Sequence, residues 1–437
     1  MAMEETTYRP SPSDSLGTPP TRDNEDTGWN MTRFILAVLA VLSVSVAIAA
    51  QNDHLERRYE IPAQAQFIDQ KASNVLPSVP PPSEFNLTSV FIPPGYDLAA
   101  LKEKPFHVYD DEFYDVIGPN PSLTLIAQSD VDPIFHEAVI WYPPTNESAG
   151  NPATGTGLNK SAIIQKISLD EAEAVSAKRN ATGEVKVHVV DSNPMVLNPN
   201  GAIRYKDTIL FAAEGMGAEK PSYLTMMNPR EPYNTTVLLN NYYGRQFNSL
   251  NDMAINPKNN ELYFTDPSYG LLQDFRPPEG LPHQVYRYND KTGAVTVVAD
   301  GFRQPNGLVF SPCGSHAYVA DTGAQQVFWG INGTFPATIY RFDVANDGTW
   351  SNRMTFAHAH AGIPDGIHID TKGRLYAGVG DGVHVYNTAG TLIGKIFLGQ
   401  TSANFNFAGE GGMVICAETE LFYAKIAATS GAPTGAV

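Results

Sequence analysis

One short unit recurs along this chain and restricts its fold more than any other feature. Gln304 to Thr322, QPNGLVFSPCGSHAYVADT, has a polar opening pair, Asn306-Gly307, a short alternating apolar run, a Pro/Cys/Gly turn and a second run closed by Asp321. That pattern is a two-stranded hairpin. Asn200-Gly201, Asn251-Asp252 and Asp365-Gly366 open comparable units, at successive spacings of 51, 55 and 59 residues. A period of this size is expected where four-stranded blades repeat around a central channel. Glu137, in FHEAVIWY, stands at the start of an earlier unit, and Asn404 or Asn406 at the start of a last one. The count is six, and the fold class is all-β, a six-bladed β-propeller.

An Asn-Gly or Asp-Gly pair is ordinarily a hairpin turn. Here each unit carries a separate breaker further on: Pro257 to Asn260, Ser311 to Gly314, Thr371 to Gly373. The opening pair therefore belongs to the loop that leads into a strand. With that strand innermost in its blade, Asn251, Asn306 and Asp365 present side-chain oxygens toward one axis, joined by Glu137.

Blades bury their faces only against neighbouring blades, so the 437 residues are read as one large domain over 71–430. A composition with 36 Gly and 33 Pro suits many short strands. A net charge of -17 leaves no basic footprint for nucleic acid, which is not expected as a partner. Residues 1–30 are polar and rich in Pro, Ser and Thr, and are read as a disordered tail.

Phe34 to Ala50 is uncharged, about 26 Å long as a helix against a bilayer core of about 30 Å. Within residues 31–50, Arg33, the apolar stretch and the small residues at the end have the layout of a secretory signal; counted from Met1, the same segment is a membrane anchor. Both readings place the body outside the cytosol, and a membrane is a partner only if 34–50 remains as the anchor. Residues 51–70 are read as a linker or pro-segment, with Arg57-Arg58 as a dibasic pair, and 431–437 as a C-terminal tail. Sequons stand at Asn86, Asn146, Asn159, Asn180, Asn234 and Asn332. Cys313 and Cys416 are expected as independent thiols.

Ser122 to Ser129 reads as an outer strand that closes the ring, and the acidic run Asp110 to Glu112 as a solvated edge or turn. Residues 143–160 hold one large aliphatic, Leu158, so the first blade is expected to lack its second strand. His136-Glu137 resembles half of an HExxH zinc motif, but Ile140 stands where the second histidine belongs.

HEAVIW around Glu137, SLNDMAINP around Asn251, QPNGLVFSP around Asn306, IPDGIHID around Asp365 and the following NFNFAG resemble the senescence marker protein/gluconolactonase family of six-bladed propeller hydrolases. Within it, LNKSAIIQKISL, EKPFHVYDDEFYDVIG and NNYYGRQFNSLND are similar to the fungal lactonohydrolases that act on aldonolactones and D-pantonolactone. The resemblance spans roughly residues 65 to 430. It implies that Glu137, Asn306 and Asp365 hold a catalytic divalent ion, and that Asn251 binds substrate or a catalytic water. Arg245, Asn248 and His136 are further substrate-binding candidates beside these motifs.

The donors agree independently. Carboxylate and amide oxygens without clustered Cys or His suit a hard cation, Ca²⁺ before Mg²⁺ or Mn²⁺. Such an ion polarises a lactone carbonyl, and Asp365 is placed as general base; His136, His360, His368 and His384 are reserve bases. No GxSxG elbow, CxxC or complete phosphate loop occurs. The expected activity is a secreted calcium-dependent lactonase for a small-molecule lactone. A related metal hydrolase for other esters, or a propeller that binds without turnover, stays open.

Overall fold

The computed structural model describes residues 60–130, 132–151, 161–178 and 184–431. The tail over 1–30, the segment over 34–50 and the residues beyond 431 lie outside them, and no helix among the described residues is long and apolar enough to cross a membrane. Six sheets of at least four strands form from these residues. The first strands of the six blades are Glu137–Tyr142, Pro199–Tyr205, Met253–Ile255, Pro305–Phe310, Ile367–Ile369 and Phe405–Ala408. Each lies at the edge of its own sheet, and neighbours touch around the ring, Glu137–Tyr142 against both Pro199–Tyr205 and Phe405–Ala408. Together they wall an axial channel, as the repeat predicts.

Between blades the alternation of the strands puts aromatic faces into contact. Tyr263 of blade three meets Phe310 of blade four at 4.8 Å and stacks on Trp350 at 5.7 Å between ring centroids. Such pairs add about 0.5–1.5 kcal/mol each beyond the area they bury. A blade alone has no partner for these faces, so the ring forms as a unit.

The chain closes the ring with its own beginning. Ser122–Gln128 pairs antiparallel with Glu420–Lys425, Leu125 opposite Phe422, and supplies the outer strand of blade six. Phe106–Val108 pairs with Leu392–Phe397, and Ala65–Phe67 runs parallel to Phe106–Val108, extending blade five to six strands. Ala65–Phe67 falls in the span read as a linker, so the folded body begins ahead of residue 71. Asp110 and Asp111 lead into the helix Glu112–Ile117, where Asp110 Oδ1 accepts the Glu112 N–H at 2.8 Å. The run is a helix start, with Asp110 and Asp111 exposed.

Blade one corrects one expectation. Glu147–Asn151 forms its second strand, with Ile140 opposite Ala149 and Trp141 opposite Ser148. A ladder is made by backbone groups, so it forms without large apolar side chains. Cys313 is exposed, Cys416 is buried, and both are free thiols.

Candidate active site

Where the first strands begin, the backbone leaves the regular pleat. The ladder shifts register between Glu137 and Ile140, between Pro199 and Ala202, and between Pro305 and Leu308. Ala138 sits at φ 54°. Bulges of this kind re-aim side chains that would otherwise lie on the sheet faces. Glu137, Asn200 and Asn306 line one axial cavity of about 480 Å³, and Asn251 and Asp365, just ahead of their strands, line it with them. The four donors singled out in the sequence meet; Asn200, the opener of blade two, is a fifth.

The glycine of an opening pair serves this convergence. A Cβ on Gly307 would lie 2.3 Å from the Asp365 carbonyl oxygen, and one on Gly366 2.6 Å from Cγ of Asn404. Neighbouring openers thus approach closer than any side chain permits. Gly307→Ala is expected to cost about 2–3 kcal/mol by overpacking against backbone, seen as a lowered urea midpoint with unchanged slope.

Glu137 is 5% exposed, and its Oε2 accepts the Asn404 amide at 2.8 Å. Blade six therefore presents Ala403 to the cavity and uses Asn404 to hold the glutamate. Ligand atoms of His136, Glu137 and Asp365 all lie within 4.8 Å of one another. Burial, then the Asp365 charge, pushes the Glu137 carboxyl up to about 8. Burial likewise lifts Asp365 to about 6, against the pull of His136. Burial works against the His136 cation, but Glu418 overcomes it and raises the imidazole to about 10. The His136 Nδ1–Glu418 Oε1 pair is 2.9 Å apart.

This electrostatic arrangement fits a hard cation. Asn251 Oδ1, Asn200 Oδ1 and Asp365 Oδ1 are buried and have no hydrogen-bond partner among the described residues. A buried acceptor without a partner costs about 1–3 kcal/mol, and an oxygen-seeking divalent ion satisfies several at once. Of the three ligands the resemblance implies, Glu137 and Asp365 bring carboxylate oxygens together, and Asn306 lines the same cavity with Asn200 and Asn251. A half-motif for zinc finds no support in the geometry: Glu137 begins a strand, and Ile140 packs in the core.

Other candidates lie elsewhere. Arg245 is exposed, its guanidinium 5.3 Å from the Tyr242 ring centroid. Asn248 is buried, accepts the N–H groups of Gly280 and Leu281 and donates to the Leu281 carbonyl. Neither lines the cavity. His368 lies deeper along the channel, 3.4 Å from Asn404 Oδ1. His384 pairs with Asp381 at 2.7 Å, and His360 packs its ring 5.8 Å from that of His384. Of the four reserve histidines, His136 alone reaches this cavity.

The sequence reading missed Glu418, Tyr269 and Thr88, which also line it. A signal for Glu418 does exist. Glu214, Asp266, Asp321, Asp381 and Glu418 each follow the second strand of their blade or end it. Asp266 accepts the N–H groups of Asn248 and Ser249, and Asp321 those of Arg303 and Gln304. In blade six the same position turns its carboxylate to His136.

The sequence profile of the SMP-30/Gluconolactonase/LRE-like region matches residues 173–417, more than half of the chain. The chain belongs to this family. Lactonohydrolase oryL of Aspergillus oryzae is 30% identical over 315 residues, 67% of either chain. The gluconolactonase of Zymomonas mobilis is 31% identical over 189 residues, 40% of this chain and 49% of that one. Among solved structures, a gluconolactonase from Xanthomonas campestris superposes with TM-score 0.59 at 22% identity, covering 74% of this chain and 95% of the other. Regucalcin of Agrobacterium tumefaciens, a calcium-binding protein, does so with TM-score 0.50 at 15% identity, covering 70% and 95%. At these identities the structural likeness speaks for the family propeller alone.

Proposed function

We propose that this family member hydrolyses lactones in the axial cavity, with calcium as the ion held there. The carrying observation is the set of buried, unpartnered oxygens of Asn200, Asn251 and Asp365 beside the crowded Glu137 carboxyl. The names of the relatives, lactonohydrolase and gluconolactonase, favour a cyclic ester over other esters, and a set of carboxylate and amide oxygens suits calcium, a hard cation.

A divalent ion held by Glu137, Asn306 and Asp365 would supply Lewis-acid polarisation of the lactone carbonyl. The chain's own residues do the rest. Asn251 and Asn200 line the same cavity and would orient the ring. As water adds to the carbonyl carbon, Asp365 accepts the proton it loses. When the ring C–O bond breaks, that proton passes to the departing alkoxide and leaves an open hydroxy acid. A carboxylate beside the attacking water can take its proton and return it to the leaving oxygen. The His136–Glu418 pair fixes a positive group at the wall, which favours the negative charge that builds on the carbonyl oxygen.

Turnover of D-glucono-1,5-lactone and D-pantonolactone followed by pH-stat checks this reading. Activity is expected to vanish with chelator and return with added Ca²⁺; hydrolysis undiminished by chelation, or no lactone turned over, sinks it. Secretion is part of the proposal: the signal layout over 31–50 favours it, as do sequon asparagines such as Asn86 and Asn234 that stand exposed.

A further inference from the structure

The lining of the cavity divides by chemistry into polar residues that include Glu137, Asn306 and Asp365, its floor, and the apolar side chains of Val327, Ile331 and Ile363. Val327 and Ile331 belong to a hairpin-like loop of blade four. Gln325 and Ile331 form an antiparallel bridge. Gln325 Oε1 accepts the Val327 N–H at 3.0 Å, and the Gln326 N–H donates to the Gly330 carbonyl at 2.9 Å. Residues opposite each other on an antiparallel pair point to the same face, and both Gln325 and Ile331 line the cavity.

The tip of this loop is apolar and bare. Phe328 is 62% exposed and Trp329 82% exposed. Val327 sits at φ 50°, a left-handed conformation that a β-branched residue rarely takes and that the surrounding bonds must hold in place. Two large aromatic side chains in water contribute nothing to the core of the blade. They stand in the loop directly between Val327 and Ile331, two residues that line the cavity.

We infer that the substrate is a lactone bearing an alkyl or aryl arm, which leaves the catalytic floor along Ile331 and Val327 and lies against Phe328 and Trp329. The ring is held by the polar floor and the arm by the loop. A cavity of about 480 Å³ is within the range that encloses drug-sized ligands, larger than a bare five-membered ring requires. The inference rests on the lactonase reading.

The test is kcat/KM over γ-valerolactone, γ-hexalactone, γ-octalactone and γ-decalactone, with D-glucono-1,5-lactone beside them, on the calcium-loaded full chain. Each methylene that leaves water gives up to about a fourfold gain, so a rise of two- to fourfold per carbon is expected. The double variant Phe328→Ala/Trp329→Ala should lower the ratio of the γ-decalactone to the γ-valerolactone rate at least tenfold. Ile331→Ser should flatten the same series from its start. Thermal midpoints of the variants verify that they fold, and Phe328 and Trp329 lie outside the core.

A series flat in chain length, while lactones are still hydrolysed, overturns the apolar arm and leaves the lactonase reading standing. A slope that survives the double variant overturns the assignment to this loop. Co-sedimentation of the wild type with phosphatidylcholine vesicles, together with a flat series, assigns the tip to a lipid surface and overturns the inference as well. Failure to open any lactone removes the lactonase reading and this inference with it.

Discussion

Asp365→Asn is expected to lower kcat/KM for lactone opening at least ~10³-fold, because in the proposed mechanism one substitution removes both the proton acceptor and an anionic cation ligand. The amide keeps the size and shape of the side chain, so the loss reports on charge. Stability of the cation-free protein should move the other way. Glu137 is lifted to about 8 by burial and then by the Asp365 charge, and a neutral residue 365 relieves that repulsion. A rise in thermal midpoint of roughly 2 °C is expected in chelator at pH 8, where both carboxyls would otherwise ionise. The opposed signs are diagnostic: a variant that merely disturbs the fold loses activity and stability together. Activity within tenfold of wild type would remove Asp365 from the chemistry. Calorimetric Ca²⁺ titration of the same variant should show weakened binding.

Much of this site was legible because its chemistry repeats with the fold. Asn306-Gly307 alone reads as a turn. Its counterparts Asn251-Asp252 and Asp365-Gly366, each ahead of a separate breaker, move the pair to the entry of a strand. The structure adds the physical reason for the glycine, which is the approach of one opener to the next at the axis. The closing strand Ser122–Gln128 was legible because the two ends of a propeller chain often share the closing of the ring.

What the sequence hid has particular causes. Glu147–Asn151 reads ESAGN and carries no apolar signal, yet its backbone completes the ladder while Ile164 and Ile167 of the next strand supply the burial. Arg245 and Asn248 are close to Asn251 along the chain, but the backbone turns between them, and Asn248 is committed to Gly280 and Leu281. Thr88 reaches the cavity from a Pro-rich lead-in tied down by the Gly362 N–H to the Leu87 carbonyl. Such long-range placement leaves no periodic trace. Glu418 lies between these extremes, since its position is periodic and only its partner, His136, is peculiar to the place where the ring closes.

The second large effect expected is on stability without the cation. Glu137, Asp252 and Asp365 are raised to about 8, 7 and 6, and Asp266 to about 7, by burial first in every case. His136 is raised to about 10 by Glu418 against its burial. Each of these groups holds its proton more tightly folded than unfolded, so stability falls as pH climbs from the unfolded value to the folded one. His107, His368 and His384, lowered to about 4 chiefly by burial, have the opposite sign, but their contribution is complete near pH 6.5. Cys313, drawn down to about 7 by Ser311 and Ser315, opposes the fall from pH 7 upward, and Cys313→Ser removes that opposition. In chelator the Cys313→Ser protein should therefore lose on the order of 3 kcal/mol between pH 6.5 and 8. A bound Ca²⁺ favours the ionised ligands and reverses the sign for Glu137 and Asp365. Calorimetric scans at pH 6.5, 7.25 and 8 should thus show the gap between calcium-loaded and chelated protein widening with pH. Curves that stay parallel across the three would mean that no divalent ion is held by this carboxylate pair.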